Sequence, residues 1–147
     1  MTGTVHNGWS VFFHPLFAQQ RINLLEISRN LKSKLPEAEW SQPSDVKLLK
    51  AVMVGIREKI PQDPLAAHFA LRGPLRKYGR LKKIGLPERY RLFFKPFSDR
   101  GRKAIIILWL GYPRKEGDKN DCYAVFEKMV ARGEFPESID ELIQRCQ

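Results

Sequence analysis

The chain has 147 residues, 43% of them hydrophobic, and a formal net charge of +10. This length and composition predict one folded domain (1–147) and exclude a disordered chain. The longest unbroken apolar run, 104–110, is too short to span a bilayer, and the N-terminus lacks the apolar segment of a secretory signal. We therefore expect a soluble, cytoplasmic protein that does not bind in a membrane.

The positive charge is concentrated in the middle of the chain. Residues 72–103 contain twelve Lys and Arg but only two acidic residues, whereas basic and acidic residues balance in the rest of the sequence. So uneven a distribution is typical of a protein that binds a polyanion, such as nucleic acid, a ribosome, an acidic protein or a membrane surface.

Familiar metal and cofactor motifs are missing from the sequence. The three His residues and the two Cys residues, Cys122 and Cys146, lack the spacing of metal ligands, and no glycine-rich phosphate-binding loop is present. We therefore expect no metal and no cofactor, and two reduced thiols. His14, next to Pro15, is expected to organise a strand-to-helix corner rather than to act in a site.

The N-terminal half predicts a short strand and two helices. β-forming residues over 8–14 predict the strand, and apolar residues at helical spacing predict the first helix over 15–34. After a linker (36–43), Ser44 is expected to cap a second helix that ends at Pro61. Two helices joined by about ten residues are expected to lie antiparallel and to cover one face of a sheet.

The middle of the chain predicts the sheet. An ordered loop (61–74) precedes strand-like runs over 76–84, 89–96 and 104–110. Short turns between them imply an antiparallel meander whose Arg and Lys side chains point outward. The run 104–110 is apolar on both faces, which predicts a central strand that is covered on both sides.

The C-terminal segment predicts two more helices. The first spans 121–132 and ends at Gly133, and a last short helix begins with a capping box formed by Ser138 and Glu141. The predicted fold class is therefore α+β: a short N-terminal strand and two helices packed on an antiparallel sheet, followed by C-terminal helices.

The concentrated cations suit chemistry on a phosphodiester. In metal-free RNA cleavage the ribose 2′-hydroxyl loses a proton, the phosphorane gains charge, and the leaving 5′-oxygen needs a proton. Fixed Arg and Lys groups stabilise such charge, and a Tyr or Lys with a depressed pKa can move protons. A basic face that only binds RNA explains the same residues, and the pattern alone favours binding over catalysis.

A family resemblance follows from short motifs spread in order through the chain. They are Asn7-Gly8-Trp9 with His14-Pro15, Lys47-Leu48-Leu49, Arg89-Tyr90-Arg91-Leu92-Phe93-Phe94, the segment Arg114-x-x-Gly117-x-Lys119-x-Asp121-x-Tyr123-x-Val125-Phe126, and Gly133 with Pro136. In this order they resemble the YhaV toxins, a branch of the RelE/ParE-like toxins of bacterial toxin–antitoxin systems.

The resemblance implies a RelE-like fold, with two N-terminal helices on a twisted antiparallel sheet and helical C-terminal additions. It also implies a growth-inhibiting endoribonuclease that cleaves mRNA, often during translation on the ribosome, without a metal. The expected partner is a cognate PrlF-like antitoxin with an AbrB-like DNA-binding part. Operator DNA would be contacted only through that antitoxin.

The resemblance further implies which residues act in catalysis. Arg91 and Arg114 are assigned to charge in the transition state. Arg80 and Lys82 form the basic pair before the central hairpin, with Lys82 in proton transfer or charge stabilisation. Tyr123 is assigned to stacking on a base or to proton transfer.

Other residues are implied to hold the RNA backbone, namely Lys83, Arg89 and Lys119. The turn before Arg89 is longer than in the family pattern, so the choice between Lys82 and Lys83 for the family role is open. The loop 110–117 also departs from that pattern, because it lacks an acidic run, and this change at the expected site can weaken cleavage.

Two alternative functions remain at this stage. One is a non-catalytic protein that blocks translation by occupying a ribosomal RNA site. The other is a topoisomerase-inhibiting toxin of the ParE type, since one fold hosts several activities. The Arg, Lys and Tyr set disfavours the second alternative, which has no need of it.

Overall fold

The computed structural model describes residues 4–83 and 85–145, so Ile84 and Cys146 lie outside the described residues. The described chain is an α+β fold. Its strands are β1 (Thr4–His6), β2 (Trp9–Phe13), β3 (Gly79–Leu81), β4 (Arg91–Asp99) and β5 (Arg102–Gly111), and its α-helices are α1 (Pro15–Lys34), α2 (Ser44–Val54), α3 (Cys122–Ala131) and α4 (Ile139–Arg145).

The five strands form one mixed sheet in the order β1-β2-β5-β4-β3. β2 runs parallel to β5, and every other neighbouring pair is antiparallel. The prediction of a wholly antiparallel sheet is therefore wrong at β2, and β1 was not predicted. The two-residue turn Arg100-Gly101, with both φ angles positive, forces β4 and β5 to be antiparallel. No such constraint acts on β2, because both helices separate it from β5 in the sequence.

The sheet is covered on both faces, as the apolar run 104–110 predicts. On one face, Ile105 and Ile107 of β5 pack with residues of α1 and α2. On the other face, Ile106 and Leu108 pack with residues from α3, α4 and the segment between them. Burial of both faces of β5 removes apolar surface from water, which stabilises the fold.

The first two helices differ from the prediction at particular residues. α1 has the predicted bounds, but Ile27, one of the apolar residues at helical spacing that predicted it, is exposed. α2 begins at Ser44 itself, so Pro43 occupies the cap position and the Ser44 hydroxyl makes no capping bond. The helical path then continues through a π-helical turn (Gly55–Lys59) and a short 3₁₀ turn (Ile60–Gln62).

The Arg and Lys side chains of the sheet were predicted to point outward, but two of them are buried. The face of β4 that carries Arg91 and Lys95 is covered by the C-terminal part of the chain, and these two residues are only 7% and 5% exposed. The Lys95 ammonium donates to the Pro136 carbonyl at 3.1 Å and lies 5.0 Å from the ring centroids of Tyr78 and Phe97. Burial lowers the pKa of Lys95. Arg91 is the first residue of β4, whereas Lys95 lies further along the strand.

The predicted strand over 76–84 is shorter in the structure. β3 contains only Gly79–Leu81, so Arg80 lies in the strand and Lys82 follows its end. A 3₁₀ turn (Gly73–Leu75) precedes it, and the positive φ of Lys83 takes the chain out of the sheet. In the described residues, no helix is long and apolar enough to cross a membrane.

His14 organises the corner between β2 and α1, as predicted. Its Nδ1 accepts a hydrogen bond from the Leu16 N–H at 3.1 Å, which caps the helix, and its Nε2 lies 3.1 Å from the Glu134 carbonyl oxygen. These partners define a neutral ring with the proton on Nε2. Protonation of Nδ1 would break the cap, and burial lowers the pKa of His14 accordingly.

Replacing His14 with Ala is expected to lower the free energy of unfolding by about 1–2 kcal/mol, through loss of the cap and of the bond to Glu134. Because the folded-state pKa is below the unfolded value, the stabilisation is present above about pH 6.5 and is lost as pH falls through the folded pKa. Urea unfolding between about pH 5 and 8 should show a weaker pH dependence in His14→Ala than in the wild type or in the exposed control His68→Ala. Equal dependence in all three proteins would contradict this role.

Candidate active site

A cleft opens at one end of the sheet, where β3 ends, β4 begins and the loop after β5 leaves the sheet. These points meet because each of the three strands runs antiparallel to its neighbour. The cleft has a volume of about 720 Å³. The polar residues that line it are Arg72, Arg80, Lys82, Lys83, Glu88, Arg91, Arg114, Glu116 and Tyr123. The structure thus brings together all five residues that the resemblance assigns to catalysis.

The hydroxyl of Tyr123 links two of the guanidinium groups. Its oxygen accepts one hydrogen bond from Arg80 Nε and one from Arg91 Nε, both at 3.1 Å. The guanidinium carbon of Arg114 lies 4.8 Å from the centre of the Tyr123 ring, and Phe93 packs against the ring edge-to-face at 5.5 Å. Arg114 and Phe93 thus both contact the ring of Tyr123.

Backbone carbonyls fix the other ends of these two arginines. Arg91 Nη1 donates to the carbonyls of Glu88 and Tyr90, at 2.6 and 2.9 Å. Arg80 Nη1 donates to the two carbonyls of residues 68–69, at 3.0 and 3.1 Å. Each guanidinium is thus held at both ends, which is the preorganisation that transition-state stabilisation requires.

Asp121 holds Arg114 and the start of α3 in place. One carboxylate oxygen accepts from Arg114 Nη1 at 2.7 Å and from the Lys115 N–H at 2.6 Å, while the other caps α3 by accepting from the Tyr123 N–H at 3.0 Å. Burial disfavours the charged form, but these hydrogen bonds outweigh it and hold the pKa of Asp121 below its usual value. No role was predicted for Asp121, although an Asp at the start of a predicted helix is a signal for such a cap.

Lys82 lies among other cations at the cleft. The nearby charge of Arg80, followed by partial burial and the charges of Arg91, Lys83 and Arg114, lowers the pKa of Lys82. A lysine in such surroundings loses its proton at a lower pH than a free lysine and can act as a base. Lys83 lines the same cleft.

The two other residues predicted to hold the RNA backbone lie outside the cleft lining. The Arg89 guanidinium carbon is 5.2 Å from the centre of the Tyr112 ring. Lys119 is exposed in the loop between β5 and α3. The RNA-binding roles of Lys83, Arg89 and Lys119 stay predictions.

Other reactive groups near the cleft are few. Cys122 is fully buried, and burial chiefly raises the pKa of its thiol to about 11, so it is not a ready nucleophile. Across residues 4–83 and 85–145, no group of three or more His, Cys, Asp or Glu residues is arranged to hold a metal ion. The groups that face the cleft are cations, two glutamates and one phenol, a set that suits a phosphodiester substrate.

The fold and the cleft together define an α+β protein with a cleft that is lined mainly by cations. The family model of the YhaV toxins, described as a toxin with endonuclease activity of a toxin–antitoxin system, matches residues 11–147. The toxin YhaV of Escherichia coli O6:H1 is 34% identical, and the ribonuclease toxin YhaV of strain K12 is 33% identical. Each alignment covers 96% of this chain and 94% of the relative.

The chain therefore belongs to the YhaV family of toxins with endonuclease activity, which confirms the predicted family. A toxin of such a system has an antitoxin as its partner. No solved structure matches the chain with statistical significance, and the RelE-like description stays a prediction.

Replacing Asp121 with Ala is expected to release Arg114 and uncap α3 together, lowering the free energy of unfolding by about 2–3 kcal/mol. Glu116→Ala is the matched control, because Glu116 also faces Arg114 but at 4.0 Å and almost fully exposed. That control should change stability by less than about 1 kcal/mol. Urea unfolding of both variants at neutral pH measures the difference, and equal effects would refute the anchoring role of Asp121.

Proposed function

We propose that this protein is an endoribonuclease that cleaves mRNA without a metal ion, in the cleft around Tyr123. The observation that carries the proposal is the convergence of Arg80, Arg91 and Arg114 on one phenol, with Lys82 lining the same cleft. The name of the K12 relative, a ribonuclease toxin, supports RNA as the substrate.

The fixed guanidinium groups supply the charge that the reaction needs. Attack of the ribose 2′-oxygen on phosphorus forms a phosphorane that carries more negative charge on its oxygens than the starting diester. Arg91 and Arg114, held by carbonyls and by Asp121, are proposed to stabilise that charge without having to reorganise. Their positive charge also attracts the RNA backbone into the cleft.

Lys82 and Tyr123 are proposed to move the two protons. The Lys82 amine, favoured by the surrounding cations, takes the proton of the 2′-hydroxyl. The Tyr123 oxygen already accepts two hydrogen bonds, so its own O–H is free to donate to the leaving 5′-oxygen. Arg80 and Arg91 then stabilise the phenolate. The products are a 2′,3′-cyclic phosphate and a free 5′-hydroxyl.

The partners follow from the family and from the charge. We propose that the antitoxin is PrlF-like and that an acidic segment of it binds the cationic surface of residues 72–103. We also propose that cleavage is linked to translation in the cytoplasm. Operator DNA is contacted only through the antitoxin. A toxin–antitoxin affinity that is the same at low and high salt would contradict the acidic segment.

RNA cleavage by the purified protein in EDTA, with and without ribosomes, tests the activity. Arg114→Ala is expected to lower the cleavage rate by about 100-fold, because a preorganised donor to the transition state is lost. The affinity for RNA should fall by no more than the contribution of about one phosphate contact. Arg29→Ala, which removes an equal charge from the exposed side of α1, is the control and should cleave normally.

Two results would overturn this assignment. In the first, Arg114→Ala loses RNA affinity to the same extent as cleavage, and the loss depends on salt concentration. This result would show a protein that binds RNA without cleaving it. Cleavage that stops in EDTA and returns with Mg²⁺ would show a metal-dependent reaction.

The pH dependence of cleavage tests the role of Lys82. If the Lys82 amine is the base, the cleavage rate rises with pH until Lys82 is deprotonated. The midpoint of this rise is expected below the pKa of a free lysine, which is about 10.4. Lys82→Arg keeps the charge but cannot lose a proton in this range, so the rise should vanish and the rate fall. Lys83→Arg is the matched control. If that control shows the defect instead, Lys83 has the role.

A further inference from the structure

An exposed aromatic and cationic surface lies beside the cleft, formed by Arg89, Tyr90 and Tyr112. We call it the Tyr112 platform. Tyr112 is 50% exposed, yet its ring stacks on Tyr90 with centroids 4.5 Å apart and planes 25° apart. The Arg89 guanidinium carbon lies 5.2 Å from the centre of the Tyr112 ring. None of these three side chains lines the cleft itself.

The platform is held in place before any ligand arrives. Tyr90 packs against the core cluster beneath α1 and α2, and Tyr112 rests on Tyr90. A half-exposed aromatic ring that is already fixed loses little conformational freedom when a flat ligand stacks on it. Planar aromatic and guanidinium surfaces of this kind are what unpaired RNA bases stack on.

The backbone places the platform one step from the catalytic groups. The Arg114 N–H donates to the Arg89 carbonyl at 2.9 Å, which joins the turn before β4 to the loop after β5. Arg89 is two residues from Arg91, and Tyr112 is two residues from Arg114, so each pair spans at most about 7 Å of chain. The platform therefore adjoins the cleft.

On the basis of the proposed ribonuclease function, we propose that the Tyr112 platform is a second RNA subsite. It stacks the base of a nucleotide that flanks the scissile bond, while the cleft holds the scissile phosphate. Stacking of this kind accepts any base, because every base has an aromatic face. The subsite thus contributes affinity and alignment of the strand, whereas Arg114 and its neighbours act on the phosphate.

Binding of an uncleavable RNA isolates this subsite from the chemistry. The probe is a fluorescently labelled single-stranded 2′-O-methyl RNA, measured by anisotropy with the wild type, Tyr112→Leu and Tyr112→Phe. Tyr112→Leu is expected to weaken binding by about ten-fold, the range of one lost base stack, and Tyr112→Phe by less than about two-fold. Urea unfolding confirms that both variants fold.

Probes that lack one base at a time identify the stack. At one abasic position, the affinity of the wild type for the RNA should fall by about ten-fold, whereas the affinity of Tyr112→Leu should not fall further. The reason is that the missing base and the substitution remove the same contact. The proposal of a subsite would be overturned if the losses of affinity from the missing base and from Tyr112→Leu were additive at every position. It would also be overturned if Tyr112→Leu bound the RNA with wild-type affinity. Because this probe cannot be cleaved, a protein that shows the stack but cleaves no RNA would refute the proposed function and leave the subsite standing.

Discussion

The cleft depends on one phenolic oxygen, which accepts hydrogen bonds from two guanidinium groups that would otherwise repel each other. Tyr123 can do this only because Asp121 caps α3 and fixes its first turn, and the same carboxylate pairs with Arg114. Three arginines are thereby held together by two residues, Asp121 and Tyr123, of one loop-to-helix junction. The cations remain available to a phosphate because neutral carbonyls and a phenol, rather than carboxylates, hold Arg80 and Arg91.

Two cations on one face of β4 have different surroundings. Arg91 and Lys95 lie on the same face of the strand, and both are buried. Arg91 lies at the open end and lines the cleft, whereas Lys95 lies deeper and binds the Pro136 carbonyl. The second cation therefore ties the C-terminal segment to the sheet instead of meeting a ligand. The cover on this face also buries Phe93, against which Tyr123 packs.

The loop after β5 gives the site its particular shape. A side chain at Gly111 would come within 3 Å of Cys122 and Phe93, so only glycine lets α3 begin so close to the end of the sheet. The next residue, Tyr112, then lies on Tyr90. The segment that departs from the family pattern thus contributes residues both to the cleft and to the adjacent platform, and it keeps Arg114 among the cleft residues.

Local pattern was sufficient for the bounds of α1, the burial of both faces of β5 and the place of His14 at the strand-to-helix corner, because each depends on spacing or on adjacent residues. The family resemblance also named five side chains that meet in one cleft, including Lys82 beyond the end of β3. The direction of β2, the burial of Arg91 and Lys95, the anchoring by Asp121 and the Tyr90–Tyr112 stack were decided by tertiary structure. Each of these features depends on contacts between segments far apart in sequence or on which face the C-terminal helices cover, and side-chain periodicity carries no information about either.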